Sequence, residues 1–227
     1  MGRKKLFRFA ENENAFNVIQ PEKPLYETIK GNWNSDFFKN EKPIVLELGC
    51  GRGEYSIGLA KNFPEKNFIG IDIKGSRIWK GSQVAIEENL DNVGFLRTYI
   101  QNIHQHFATQ EVSEIWITFP DPRPRDSDER RRMTHPRFLK MYQSLIKLDG
   151  IVHLKTDNRP LFDYTLEVLA EMGVRDLEYT FDLYNSSLNQ EHFGIKTTYE
   201  AKFTELGYHI NYLRFRFKSN SNSEKSS

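Results

Sequence analysis

The sequence predicts a doubly wound α/β fold built on a mostly parallel, seven-stranded sheet with an antiparallel terminal strand. Two observations predict it: short apolar strands alternate with amphipathic helices, and the final strand patterns alternate apolar with polar residues. The first strand is Ile44–Leu48, an apolar run after Pro43 that reads as buried on both faces. Helix follows from Glu54 to Phe63, with Tyr55, Leu59 and Phe63 on one face, and a second strand covers 67–73. Helix over 75–90, strand over 93–97 and strand over 113–119 continue the alternation, the last with Ile115, Trp116 and Ile117 consecutive. A helix is expected over 135–148, a fifth strand over 150–156 and an amphipathic helix over 160–172. Segments 177–184 and 209–217 read as antiparallel edge strands. Residues 1–20 have no clean period and read as a mobile arm; 20–41 reads as loop and short helix whose aromatics pack on the domain.

The turn after the first strand carries the chemistry. Glu47-Leu48-Gly49-Cys50-Gly51-Arg52-Gly53 places glycines at alternate positions, where backbone can turn tightly and approach a ligand. The second strand ends in Asp72, and an acid about 20 residues past a glycine turn can accept hydrogen bonds from both ribose hydroxyls. An adenosine-bearing cofactor is therefore expected. A dinucleotide fingerprint would need glycine at position 54, where Glu54 would instead repel a pyrophosphate. The E-x-G-x-G-x-G pattern resembles motif I of S-adenosyl-L-methionine-dependent methyltransferases. On that resemblance the fold is the class I methyltransferase (Rossmann-like) type, Glu47 meets the ammonium of the methionine part, and Asp72 meets the ribose. Asn102, beside the expected adenine position, could bond a base edge through its amide.

The fourth strand runs into Phe119-Pro120-Asp121-Pro122-Arg123-Pro124-Arg125, where three prolines end the strand and stiffen the loop beyond it. Amino-group methyltransferases often carry [Asp/Asn]-Pro-Pro-aromatic at this place. An amine must later lose a proton, whereas a ring nitrogen such as guanine N7 presents an in-plane lone pair. A carboxylate such as Asp121 would then orient the base and stabilise the positive charge that passes to the ring, without acting as a base.

Taken in order, ELGCGRG, IGID, FPDPRPR, RRR with HPRFL, KTDN and TTYE resemble the bacterial tRNA (guanine-N7-)-methyltransferases over roughly residues 40–217. The resemblance implies methyl transfer from S-adenosyl-L-methionine to N7 of the variable-loop guanosine at tRNA position 46. It implies cofactor contacts from Glu47, Gly49, Gly51, Asp72, Asn102 and Asp121, with Asp121 also catalytic. Arg125, Asp157, Thr197 and Glu200 would hold the substrate; carboxylates at 157 and 200 can accept the N1–H and N2–H of guanine, which adenine lacks. Three positions depart from the family pattern: Arg123 stands for the usual Trp, Arg125 for Lys, and Asn102 for Asp. The implied organisation is an N-terminal arm and lead-in over 1–40, a methyltransferase domain over 41–218 and a disordered polar tail over 219–227.

Composition bounds the rest. Across 227 residues, 32 basic and 31 acidic side chains leave a net charge of +1, so nucleic-acid binding would have to rest on local clusters. Arg3, Lys4, Lys5 and Arg8 form one; 123–137 holds six arginines against three acids; Arg214, Arg216 and Lys218 form a third. No apolar run is long enough for a membrane helix, the N-terminus lacks a signal-peptide core, and the single Cys50 suits a reducing compartment; a cytoplasmic protein without membrane attachment is expected. No cluster has metal-ligand spacing, so no metal is expected. Cys50 lies inside the glycine turn, too far from the fourth strand to attack a pyrimidine. Competing readings are a methyltransferase acting on another RNA or a small molecule, a non-catalytic binding module, and a nicotinamide dehydrogenase. Monomer and homodimer both remain open.

Overall fold

A computed structural model describes residues 3–218; the tail expected over 219–227 lies outside them. Eight strands among the described residues form one sheet in the order β1-β4-β3-β2-β5-β6-β8-β7. They are β1 (Val18–Ile19), β2 (Ile44–Leu48), β3 (Asn67–Asp72), β4 (Val93–Arg97), β5 (Val112–Thr118), β6 (Ile146–Thr156), β7 (Arg175–Thr180) and β8 (Asn211–Arg216). The helices are α1 (Arg3–Asn14), α2 (Pro24–Thr28), α3 (Glu54–Asn62), α4 (Gly75–Glu87), α5 (Pro136–Leu145), α6 (Arg159–Met172) and α7 (Thr198–Glu205). Strands β1 to β6 pair in parallel, and β8 runs antiparallel between β6 and β7.

The central strands are mostly apolar because helices cover both faces. Every residue of β2 and β3 is buried. Alternate residues feed two cores: Ile44, Leu46 and Leu48 join the face packed by α5 and α6, whereas Val45 joins the face packed by α3 and α4. From β2 the chain winds outward through β3 and β4, then crosses back to β5 on the other side of β2. The crevice at the carboxyl ends of β2 and β5 is thus the topological switch point, where open α/β sheets bind ligands.

Boundaries of the central elements match the sequence expectation within a few residues. The helix expected to reach residue 148 stops at Leu145, and β6 begins at Ile146. The larger difference is at the N-terminus, where the segment read as a mobile arm is helix α1 docked on α4. Asn12 Nδ2 donates to Gly75 O at 2.8 Å, Trp79 Nε1 donates to Glu11 Oε2 at 3.2 Å, and the Arg8 guanidinium lies 4.8 Å from the Trp79 ring centre. Beyond it, β1 adds an eighth strand beside β4, held by the Asn17–Ser82 side-chain pair at 2.6 Å. These are polar, residue-specific contacts, which leave no hydrophobic period to read. Trp33, fully buried in a π-helical turn (Trp33–Phe38), stacks on Phe107 with ring centres 5.2 Å apart and donates to His106 O at 2.8 Å. The lead-in aromatics pack on the domain, as expected.

Candidate active site

The glycine turn is shaped by its own backbone demands. Gly49, Gly51 and Gly53 have φ of +76°, +57° and +71°, all in the left-handed region that side-chain-bearing residues avoid. A Cβ on Gly53 would lie 2.5 Å from the Phe95 ring, so that glycine serves packing. A Cβ on Gly51 would meet nothing within 4 Å; there the backbone borders open space that a ligand can enter. The amide nitrogens of Gly49 and Cys50 both donate to Ile71 O, at 2.8 and 3.0 Å, which binds the turn to the end of β3. Cys50 is buried, and desolvation raises its thiol pKa, so it stays an inert neutral neighbour.

Two acids frame this turn. Asp72 accepts from Gly51 N through Oδ2 at 3.0 Å and from Lys74 N through Oδ1 at 2.8 Å. Each carboxylate oxygen keeps a further acceptor site, as binding a diol requires. Glu47 points to the α3 face, where Ser56 N donates to Oε2 at 2.8 Å and Thr118 Oγ1 donates to Oε1 at 2.7 Å. Burial raises its pKa to about 7; the hydrogen bonds from Ser56 and Thr118 oppose the shift without cancelling it.

Two adjoining cavities share Gly49, Arg77 and Phe119. One, of about 360 Å³, is bordered by Glu47, Gly51, Thr118 and Thr197–Tyr199. The other, of about 490 Å³, is bordered by Asp72, Tyr99–Gln101, Asp121 and Arg123. Asp121 follows β5 on a loop whose Phe119 and Arg123 both have φ of +47°, a conformation that costs energy in non-glycine residues. The Asp121 side chain is 62% exposed. Arg123 closes on it twice: Nε lies 3.2 Å from Oδ2, and its backbone N donates to Oδ1 at 3.2 Å. Arg132 in turn donates to Arg123 O at 3.2 Å, fixing the loop from behind.

Of the residues expected from the sequence, Glu47, Gly49, Gly51, Asp72, Asp121 and Thr197 border these cavities. Asn102 does not; its neighbours Tyr99, Ile100 and Gln101 do, because the 3-10 turn Ile100–Gln105 presents them instead. Arg125 is exposed outside both. Asp157 stands at the rim, accepting from Tyr199 OH at 3.3 Å.

Glu200, expected on the substrate, has a side chain that is 0% exposed and paired with the equally buried Lys155 at 2.8 Å. Tyr184 OH donates to its Oε1, and Thr197 N donates to its Oε2 at 3.4 Å. Thr197 and Glu200 form a capping box at the start of α7, with Thr197 Oγ1 accepting from Glu200 N at 3.0 Å. In this structure the carboxylate is engaged by the helix end, Tyr184 and Lys155. Thr-x-x-Glu is itself the sequence signature of such a box, so this role was readable.

Other site residues were missed. Thr198 donates to Glu54 through its backbone N at 2.9 Å and through its hydroxyl, tying α7 to the start of α3 across the cavity mouth. Tyr199 presents its ring beside Phe119, centres 5.4 Å apart. The contacts of Lys155 with Glu200 and of Glu54 with Thr198 have no local signal, because the partners lie far away in sequence. Among the described residues no group of acids, histidines or cysteines is arranged to hold a metal ion, and no helix is long and apolar enough to cross a membrane.

Comparison with known proteins agrees with this geometry. A family model described as "Putative methyltransferase" matches residues 41–213. The tRNA (guanine-N(7)-)-methyltransferase of Cytophaga hutchinsonii is 52% identical over 96% of this chain and 99% of its own. That of Christiangramia forsetii is 50% identical over 96% of this chain and all of its own. Among solved structures, the 16S rRNA methyltransferase KamB aligns with a TM-score of 0.59 at 15% identity, covering 78% of this chain and 89% of its own, a likeness of fold.

Proposed function

The chain belongs to the tRNA (guanine-N(7)-)-methyltransferase family, and from that premise we propose that it transfers a methyl group from S-adenosyl-L-methionine to N7 of the variable-loop guanosine at tRNA position 46. The observation that carries this reading is the convergence of Glu47, the open Gly51 backbone, Asp72 and Asp121 at the switch point between β2 and β5. A tRNA substrate places the reaction in the cytoplasm. Residues 41–218 form the methyltransferase domain, with 1–40 as its lead-in.

The residues fit the cofactor. Asp72 would take the ribose hydroxyls, Glu47 the ammonium, and Gly51 allows the backbone to approach. Bound S-adenosyl-L-methionine supplies an electrophilic methyl group on a sulfonium centre. Asp121, on the opposite side of the switch point, orients the guanine and stabilises the positive charge it acquires. No side chain has to remove a proton, since N7 carries none. Asp121 must exchange its Arg123 partner for the base, and the exposed rim leaves room for that exchange. Asp157, held by Tyr199 OH, keeps acceptor capacity for the guanine N–H donors.

The test is methyl transfer from labelled cofactor to two unmodified tRNA transcripts, one with guanosine at position 46 and one with adenosine. Nucleoside mass spectrometry should find N7-methylguanosine on the first alone. Transfer to neither, or to another atom, would reject the proposal.

Glu47 gives a second expected result. Because its pKa is raised from the ordinary 4.5 to about 7, its contribution to stability is present below pH 4.5 and lost as pH rises through 7. A cofactor ammonium beside it favours the carboxylate. Cofactor binding at pH 6 to 7 should therefore release a proton, and affinity should rise with pH up to about 7. Calorimetry in buffers of different ionisation enthalpy reads this directly; identical heats in all buffers would place the ammonium elsewhere. In a Glu47→Gln variant the proton release should vanish.

A further inference from the structure

The rim beyond β6 carries aromatic rings that the reaction chemistry does not use. Tyr199 borders the cavity together with Phe119. Behind it, Phe203 stacks on Tyr199 with ring centres 4.3 Å apart and planes 28° apart. Tyr208 meets Phe203 edge-on at 5.3 Å. Tyr199 is 46% exposed and Tyr208 53% exposed, although both are large aromatic side chains. The rings thus form a continuous ladder leading out of the site along α7.

Strand topology brings a second limb to the same rim. Both β6 and β7 are antiparallel to β8, so β7 ends and β8 begins beside the carboxyl end of β6. Phe181, just past β7, is partly exposed, and the Arg159 guanidinium lies 3.6 Å over its ring. A guanidinium on an aromatic ring makes a flat cationic surface of the kind on which nucleobases stack.

We propose that this aromatic shelf, with Tyr199, Phe203 and Tyr208 as its main limb, stacks the RNA nucleotides that flank the target guanosine. The inference rests on the proposed tRNA substrate and extends that site beyond the reacting base. A guanosine that enters the cavity must leave its stack, which costs a few kcal/mol and strips its neighbours of a stacking partner. A ladder that starts at the cavity mouth lies where those neighbours emerge. Aromatic stacking replaces what they lose without reading their identity. This continuity with the cavity distinguishes a nucleotide platform from a protein-docking patch, which has no need to begin at the catalytic mouth.

The experiment compares Tyr208→Ala, Tyr208→Leu and Tyr208→Phe with the wild type on an unmodified tRNA transcript. Tyr208→Ala should raise KM for tRNA about tenfold, the order expected for one lost stacking contact. Tyr208→Leu should behave the same, because bulk without a flat ring does not stack, whereas Tyr208→Phe should retain wild-type KM. Cofactor affinity and melting temperature should be unchanged in all three. A 2-aminopurine next to position 46 should be quenched on binding wild type and less so on binding Tyr208→Ala. Wild-type KM in Tyr208→Ala, with the wild-type enzyme active, overturns the shelf. So does a shift from dimer to monomer in sedimentation with KM for tRNA intact, which would make the patch a self-association surface. An inactive wild type overturns the proposed function itself and is seen before any variant is compared.

Discussion

Replacing Asp121 with asparagine is expected to lower kcat for tRNA methylation by about a hundredfold or more, the usual effect of removing one group that stabilises transition-state charge. Asparagine keeps the shape and one acceptor but not the negative charge. The attacking N7 begins neutral and ends within a cationic ring, so the interaction with Asp121 strengthens as the reaction proceeds. An interaction of that kind appears in kcat rather than in substrate binding. KM for tRNA and cofactor affinity should stay near their wild-type values. The fold should survive, since the Asp121 side chain is 62% exposed and its charged partner, Arg123, is itself at the surface. Steady-state kinetics at saturating cofactor, with calorimetry of cofactor binding, check both halves. A variant with undiminished kcat would remove Asp121 from the chemistry. Loss confined to KM would make it a binding residue.

That residue was visible in the sequence because its context is local. A strand that runs into alternating prolines must end there, and the acid between them is left at the sheet's rim. The same holds for Glu47, Gly51 and Asp72, which belong to one strand-turn-helix-strand unit with fixed spacing. Contacts between distant segments left no such trace. Helix α1 lacks a clean apolar stripe; Asn12 and Glu11 fasten it to α4 over more than sixty positions. Glu54 argued against a dinucleotide, but its use as the acceptor for Thr198, 144 positions away, has no local pattern. Thr197-x-x-Glu200 carried two meanings at once, a substrate motif and a capping box. The buried Lys155 favours the second, since the carboxylate is enclosed with an ammonium.

Replacing Lys155 with methionine should therefore destabilise the protein by about 3–5 kcal/mol, the cost of leaving a buried charge without its partner. For a chain of this size the loss corresponds to a fall in melting temperature of about 10 °C. Lys155 and Glu200 are both fully enclosed, and the lysine's pKa is lowered by burial, with Glu200 acting against that shift. Methionine matches the length and apolar stem of lysine, so packing beside Tyr55 and Phe119 changes little. The variant keeps a carboxylate with Tyr184 OH and Thr197 N as its donors and no cation. Converting it to an amide as well, in Lys155→Met/Glu200→Gln, should recover most of the lost stability, because glutamine still accepts from Tyr184 and carries no charge to desolvate. If the double variant melts no higher than Lys155→Met, the loss lies in packing and the ion pair is not its source. The rescue also has a catalytic reading. Thr197, Thr198 and Tyr199 border the cavity from the capped start of α7. A rescued fold with a restored cap should recover KM for tRNA along with its melting temperature. A stable double variant that still binds tRNA poorly would show that the charge pair, rather than the cap, fixes those three residues over the site.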